Sequence, residues 1–110
     1  MKIVLLFAFT LIIISSSLHA SIYKGQRYYQ KKCTICHGKA LEFVNEKTSN
    51  RWQNYLADKG NILYFLHKNL EDARSSMEYF DSTKYRKNLK HLRDFFLEYA
   101  SDTGNIPVSE

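Results

Sequence analysis

The stretch KKCTICHG (31–38) decides how this chain of 110 residues is interpreted. Cys33 and Cys36 are separated by two residues, and His37 directly follows the second cysteine. Cysteine and histidine at this spacing can ligate a metal ion, exchange electrons as a dithiol, or attach a larger group covalently. Each of these uses needs a different surrounding fold, so the rest of the chain must distinguish them.

The N-terminal segment is typical of a secretory signal peptide. Lys2 precedes the apolar run IVLLFAFTLIII (3–14), and Ala20 and Ser21 are small residues at a position suited to cleavage. The run is shorter than the roughly 17–25 apolar residues of a membrane helix. We therefore expect cleavage after Ala20, export to the periplasm and a mature domain of residues 21–110. Contact with a membrane is expected only if the segment stays uncleaved.

The charge of the chain is mildly basic, with 16 Lys and Arg residues against 11 Asp and Glu. Cleavage after Ala20 removes one basic residue, Lys2, and no acidic one, which leaves a net charge of about +4. Nucleic-acid binding would call for charge clustered on one face, and an exported protein seldom meets nucleic acid, so no such partner is expected. A modest positive field instead favours association with an acidic protein.

Apolar residues recur at helical spacing along most of the mature chain, which predicts an all-α fold. The predicted helices cover 21–32, 51–60, 61–80 and 85–99. Gly60 is expected to end the second of them, and 38–50 is expected to be a loop with one helical turn at most. No alternating stretch is long enough to predict a strand.

The three uses of the motif make different demands. A thioredoxin-like dithiol lies in a βαβ unit, which this sequence does not predict. A structural zinc site needs two further ligands in tetrahedral geometry, and the chain has no second cysteine pair. C-x-x-C-H is the signature of covalent haem attachment, in which both thiols bind one porphyrin and His37 ligates the iron. Because about 90 residues bury only a small core, a large apolar cofactor would also stabilise the fold.

These residues resemble the small single-haem class I c-type cytochromes of bacteria. CTICHG (33–38) matches the haem motif of that family, and GQRYY (25–29) is similar to its first helix, where a glycine and a later aromatic residue pack against the last helix. LRDFFLEY (92–99) is similar to that last helix. The resemblance covers nearly all of residues 22–100. It implies three to five helices wrapped around one covalently bound haem c.

The resemblance further implies an electron carrier that shuttles single electrons between redox proteins and turns over no substrate. One alternative is a haem c enzyme or sensor subunit whose sixth iron position is open. Another is a dedicated cytochrome subunit of an oxidoreductase complex. The sixth ligand separates these functions, because methionine opposite histidine raises the haem potential, whereas an open position binds small molecules.

Three residues are candidates for the iron ligand opposite His37. Met77 is the only methionine of the mature chain and lies 15 residues before Leu92, close to the separation that the resemblance implies. However, Met77 falls on an apolar stripe, where methionine commonly fills the core, and the proline-flanked ligand loop of the family is missing. His67 lies near the edge of the same stripe and is the second candidate. His91, among lysines of the last helix, is the third, and an open position is the remaining alternative.

Two further predictions concern charged residues. Arg51, with its fixed donors, is a candidate partner for a haem propionate. A cluster of basic residues flanks the motif in sequence and forms either a solvated face or a docking ring for an acidic redox partner. These residues are Lys24, Arg27, Lys31, Lys32 and Lys39.

Overall fold

The structure is a computed structural model that describes residues 2–107, with side chains from Ser17 onward. It confirms the all-α class, since residues 2–107 contain no strand. The helices are α1 (Lys2–Lys32), α2 (Thr34–His37), α3 (Ala40–Val44), α4 (Ser49–Tyr55), α5 (Asn61–Lys68), α6 (Met77–Phe80) and α7 (Thr83–Glu98). Two 3₁₀ segments, Asp58–Gly60 and Glu71–Ser76, connect the central helices. Residues 2–107 thus form seven α-helices instead of the expected three to five. The chain between α1 and α7 is divided into five short helices, α2 to α6, of four to eight residues each.

The framework of the fold is the pair α1 and α7, which cross at Gly25. A Cβ atom at Gly25 would lie 1.9 Å from the carbonyl oxygen of His91 and 2.7 Å from Cβ of Phe95. Only glycine therefore lets the two helices approach this closely. One turn later, Tyr29 is fully buried, and its ring centroid lies 6.0 Å from that of Phe95 and 6.1 Å from that of Phe96. Gly25 and Tyr29 thus pack against α7, as expected.

The core between this framework and α4 is aromatic. Trp52 on α4 is buried, with its ring centroid 4.7 Å from that of Phe96. Its indole Nε1–H donates a hydrogen bond of 2.8 Å to the carbonyl oxygen of Val44, so the polar end of the ring is satisfied inside the core. This bond fixes α3 and α4 against each other beside α7.

The segment 61–80 does not form the single helix that its apolar stripe predicts. α5 ends at Lys68, Leu70 is extended (φ −105°, ψ 123°), and a 3₁₀ segment precedes α6. The sequence contains a helix stop signal, Asn69, at the end of α5. It is followed by a helix start signal, the acidic residues Glu71 and Asp72 in the first turn of the next segment. Apolar periodicity alone does not detect such a break.

The prediction for Gly60 was also wrong. α4 ends at Tyr55, five residues earlier, and Gly60 adopts a left-handed conformation (φ 80°, ψ 5°) at the start of α5. A Cβ atom at Gly60 would lie 2.6 Å from the hydroxyl oxygen of Tyr85. Gly60 therefore sets the direction in which α5 leaves the framework.

The predicted signal-peptide boundary lies inside α1, which runs without a break from Lys2 to Lys32. Side chains 17–20 are exposed, Ser21 is half-buried and Ile22 is buried. The apolar run 3–14 lies outside the described side chains. Within the described part of the chain, no helix is both long and apolar enough to cross a membrane.

Candidate functional site

The motif residues form the turn that follows α1. The amide of His37 donates to the carbonyl oxygen of Cys33 at 2.9 Å, and the amide of Gly38 donates to that of Thr34 at 2.9 Å. This single helical turn places Cys33, Cys36 and His37 in the wall of one cavity of about 230 Å³. The spacing of the three residues in the sequence therefore places their side chains in the wall of the same cavity.

The wall of this cavity combines the motif with apolar side chains from α3 to α7. The remaining lining residues are Lys32, Phe43, Trp52, Leu63, His67, Leu70, Asp72, Ala73, Ser76, Phe80 and Phe96. Cys36 and Lys32 are exposed, so the cavity reaches the surface beside them. A bound group would be enclosed by aromatic rings on one side and accessible on the other.

A buried tyrosine holds the motif in place. The hydroxyl of Tyr29 on α1 donates a hydrogen bond of 2.7 Å to the carbonyl oxygen of Gly38, the residue after His37. Gly38 has φ 78° and ψ −162°, a backbone conformation that only glycine adopts readily. The end of the motif is thus tied to the α1–α7 framework.

The two cysteines are free thiols that differ in exposure. Cys36 is exposed, whereas Cys33 is partly buried. Burial, and to a lesser extent the neighbouring Cys36, raise the pKa of Cys33 to about 12, so this thiol is protonated at neutral pH. Dithiol oxidoreductases instead depend on a cysteine with a lowered pKa. The environment of Cys33 therefore disfavours thiol exchange.

The imidazole of His37 lies against Phe43, with 4.3 Å between the ring centroids. Desolvation in the cavity wall, followed by the proximity of His67, lowers the pKa of His37 below its ordinary value. The neutral ring, which is the form that ligates metals, is therefore favoured.

A second histidine shares the cavity. The ring centroid of His67, on α5, lies 6.0 Å from that of His37, and the two ring planes are inclined by 77°. Nδ1 of His67 lies 2.8 Å from the carbonyl oxygen of Leu63. Because a carbonyl only accepts hydrogen bonds, Nδ1 carries the hydrogen and donates it, and in the neutral ring Nε2 keeps its lone pair.

A second buried tyrosine supports the helix that carries His67. The hydroxyl of Tyr85 on α7 donates a hydrogen bond of 2.6 Å to the carbonyl oxygen of Gly60, at the start of α5. The His67 ring also lies against Phe80 of α6, with 4.3 Å between centroids. α7 therefore anchors α5 in the way that α1 anchors the motif.

The other predicted site residues do not line the cavity. Met77 is half-buried at the start of α6 and Arg51 is exposed on α4, and neither belongs to the cavity wall. His91 instead lies on α7 with its Nδ1 2.8 Å from the hydroxyl oxygen of Ser21. Of the candidate ligands opposite His37, the structure brings only His67 into the same cavity.

The predicted basic cluster is exposed. Its members Lys24, Arg27, Lys31, Lys32 and Lys39 all have solvent-accessible side chains. Only Lys32 lines the cavity, at the point where Cys36 is accessible. Four of its members are spread along α1 from Lys24 to Lys32, and Lys39 follows the motif.

Sequence analysis missed the aromatic walls contributed by Phe43 and Phe80 and both tyrosine anchors. Phe43 lies in a stretch without clear periodicity, which gave no sign of burial. Phe80 belongs to the apolar stripe of 61–80, but the break in the backbone decides which stripe residues face the cavity. Each anchor joins a tyrosine to a glycine that is separated from it along the sequence, by nine residues for Tyr29 and by 25 for Tyr85. No sequence pattern identifies such a pair.

The donor set fits a haem better than a bare ion. Two thiols and one imidazole lie on the motif side, a second imidazole is presented from α5, and the walls between them are largely apolar. Among the described residues, no group of three or more His, Cys, Asp or Glu side chains is placed to hold a metal ion by itself. No protein-family model, curated protein or solved structure matches this chain.

Proposed function

We propose that this chain is an exported c-type cytochrome in which one haem, covalently bound through Cys33 and Cys36, carries single electrons between redox proteins. The observation that supports this most directly is that Cys33, Cys36 and His37 line one largely apolar cavity. The helical framework of α1 and α7 would then hold the haem against α3 to α6, in the manner of the family that the motif resembles.

Covalent attachment requires only chemistry that both cysteines can perform. Cys33 and Cys36 would each hold the porphyrin by adding their S–H across one vinyl group, with sulfur bonded to one vinyl carbon and hydrogen to the other. No external oxidant or reductant is consumed in this addition. Cys33 and Cys36 are free thiols one helical turn apart, so both can reach a single porphyrin, and His37 would ligate its iron.

The remaining residues would position the group and limit the access of water. The rings of Phe43, Trp52, Phe80 and Phe96 form the apolar wall, while the exposed Cys36 marks the side on which a haem edge would be accessible. The bound iron supplies the ferric–ferrous couple. An accessible edge beside buried iron is what one-electron exchange between proteins requires.

The exposed basic cluster supports a protein partner with an acidic docking surface. Long-range attraction between opposite charges raises association rates and falls as salt increases. We expect electron exchange with an acidic redox protein to slow as ionic strength rises. Charge-reversing Lys24→Glu and Lys31→Glu should reduce this salt dependence without changing the haem spectrum.

Export is proposed from the N-terminal segment, in which Lys2 precedes the apolar run 3–14 and the small residues Ala20 and Ser21 follow. N-terminal sequencing of protein recovered from the periplasm should start at Ser21.

The proposal is tested by expressing the full chain in a host with cytochrome c maturation machinery. We expect a coloured protein that keeps its haem after denaturation and titrates as a one-electron couple. Cys33→Ala and Cys36→Ala should each retain at most one thioether, and the double variant should lose covalent haem. Ile35→Ala is the matched control, since Ile35 lies between the cysteines yet is 92% exposed. A colourless wild-type protein from this host would refute the proposal.

A further inference from the structure

We infer that His67 is the second axial ligand of the iron, so that the haem is held between two histidines. This inference rests on the proposed function and specifies its site. It replaces the methionine that the resemblance implies with a side chain from α5. Three independent features of the structure support it.

The first feature is the separation of the two imidazoles. A metal ion held between two imidazole nitrogens at bond lengths of about 2 Å places the ring centroids about 6 Å apart. The centroids of His37 and His67 are 6.0 Å apart across the cavity. The two ring centroids are thus separated by the distance that one shared iron would require.

The second feature is the orientation of His67. Histidines that ligate metals commonly donate their other ring N–H to a backbone carbonyl or carboxylate, which fixes the tautomer and the direction of the ring. Nδ1 of His67 donates in this way to the carbonyl oxygen of Leu63, at 2.8 Å. Nε2 is therefore the nitrogen left to bind a metal. The ring is also held by Phe80, 4.3 Å away between centroids.

The third feature is the support of both histidines by one kind of contact. Tyr29 donates to the carbonyl oxygen of Gly38 beside His37, and Tyr85 donates to that of Gly60 at the start of the helix of His67. Both tyrosines are fully buried. The two ligands are thus anchored independently to α1 and α7, which sets the distance between them.

The competing ligand lacks these features. Met77 begins α6 and is not part of the cavity wall, although its neighbours Ser76 and Phe80 are. A thioether ligand from position 77 would require α6 to turn, which would displace Phe80 from the His67 ring. His67 needs no such change.

Ligation by His67 has a functional consequence. An iron with histidine on both sides is six-coordinate in both oxidation states, which leaves no position for a small gas or for peroxide. It also has a lower potential than one with methionine opposite histidine, because the methionine ligand raises the potential. The site therefore suits a low-potential electron carrier rather than a sensor or peroxidase.

The test uses the full chain matured with haem, and its first readout is the near-infrared spectrum of the ferric wild-type protein. We expect a low-spin haem without the weak band of an iron–methionine sulfur bond, and no change on addition of carbon monoxide to the reduced protein. His67→Ala should keep covalent haem, become high-spin and bind carbon monoxide. His67→Met should remain six-coordinate or gain the sulfur band, with a raised midpoint potential.

Two matched variants complete the test. Met77→Leu removes the competing sulfur, and His91→Ala removes a histidine outside the cavity; neither should alter the spin state or carbon monoxide binding. An iron–sulfur band in wild type that disappears in Met77→Leu would overturn the assignment, as would a low-spin His67→Ala protein indifferent to carbon monoxide. In both cases covalent haem would still be present, so the proposed function would stand. Absence of covalent haem from wild type would instead refute the proposed function. If His67→Ala does not accumulate, the wild-type and Met77→Leu spectra still decide between sulfur and imidazole.

Discussion

The α1–α7 framework holds the motif turn that carries His37, and the segment 61–80 carries His67, yet the two regions are packed very differently. α7 alone buries Tyr85, Leu92, Phe95 and Phe96, whereas neither α5 nor the 3₁₀ segment Glu71–Ser76 buries a residue. Burial of apolar surface is the main source of stability, so the two walls of the site rest on supports of unequal strength.

The exposed apolar side chains of 61–80 sharpen this contrast. Ile62, Phe65, Leu66 and Leu70 are between 42% and 59% exposed. Leu70 and Leu63 also line the cavity, and a haem placed there would cover apolar surface that this segment now leaves open. The framework is therefore expected to fold by itself, while 61–80 is expected to depend on the bound group.

The largest effect should follow from removing the haem. In the Cys33→Ala/Cys36→Ala variant, amides of α5 and α6 should exchange hydrogen at least about 100-fold faster than those of α7, because local opening is easiest where few apolar contacts are buried. In the haem-loaded protein this difference should shrink. Hydrogen exchange followed by mass spectrometry of peptides covers both regions. Equal hydrogen-exchange protection of 61–80 with and without haem would show that this segment does not depend on the bound group.

The next largest effect concerns the framework itself. Gly25→Ala should destabilise the protein by about 3 kcal/mol, because the added methyl group meets the backbone of His91, which cannot move away as a flexible side chain could. Denaturant unfolding measures the loss. Gly38→Ala is the informative control: nothing lies within 4 Å of a Cβ there, so only its backbone conformation (φ 78°, ψ −162°) should cost stability, about 1–3 kcal/mol. A smaller loss for Gly25→Ala than for Gly38→Ala would show that the helices can separate freely.

The contrast between the two regions also explains what the sequence could predict. In the framework, helical spacing predicted residues 21–32 and the stripe of α7, and the resemblance to the cytochrome family supplied the contact of Gly25 and Tyr29 with α7. The motif was equally visible, because its chemistry depends on three positions within five residues, Cys33, Cys36 and His37. In 61–80, the turn at Asn69 and Leu70 outweighed the periodicity, and it decided that His67 and not Met77 lines the cavity. Such a choice depends on where α7 holds α5, which the local sequence does not specify.

The two regions can also be compared by making the same substitution, Tyr to Phe, at each of the two tyrosine anchors. Tyr29→Phe and Tyr85→Phe each remove one hydroxyl from a bond to a glycine carbonyl. Tyr85→Phe should cost about 1–3 kcal/mol, since its acceptor at Gly60 is buried, whereas Tyr29→Phe should cost about 0.5–1.5 kcal/mol, because Gly38 is exposed and water can replace the donor. Their effects on the site should differ. Tyr29→Phe should leave the haem spectrum unchanged, because the proposed thioethers at Cys33 and Cys36 would also hold the turn that carries His37.

Tyr85→Phe should instead loosen α5 and with it His67. We expect slow carbon monoxide binding by the reduced haem in this variant and none in Tyr29→Phe. Both can be measured by stopped-flow mixing with the wild-type protein as the reference. Identical carbon monoxide behaviour in the two variants would indicate that Tyr85 supports stability without controlling the ligand.

The smallest predicted effect lies at the far end of the framework, where the chain after α7 returns to α4. The carboxylate of Asp102 accepts hydrogen bonds of 2.8 Å from both the amide and the hydroxyl of Ser49, in the first turn of α4. These bonds, the side-chain one first, lower the pKa of Asp102 below its ordinary value of 3.8. A carboxyl with a lowered pKa in the folded state stabilises the protein above its unfolded pKa, and this contribution disappears as pH falls through the folded value.

The free energy of unfolding should therefore contain a small contribution from Asp102 that is constant above about pH 5 and is lost below about pH 4. Asp102→Asn should remove this part of the acid dependence and leave the haem spectrum unchanged at every pH, because α4 meets the cavity through Trp52 and not through its first turn. Urea unfolding at pH 3 and pH 7 of both proteins measures the difference. A change in the haem spectrum of Asp102→Asn would mean that the contact between Asp102 and α4 is coupled to the site. The α1–α7 framework and the segment 61–80 would then respond as one unit.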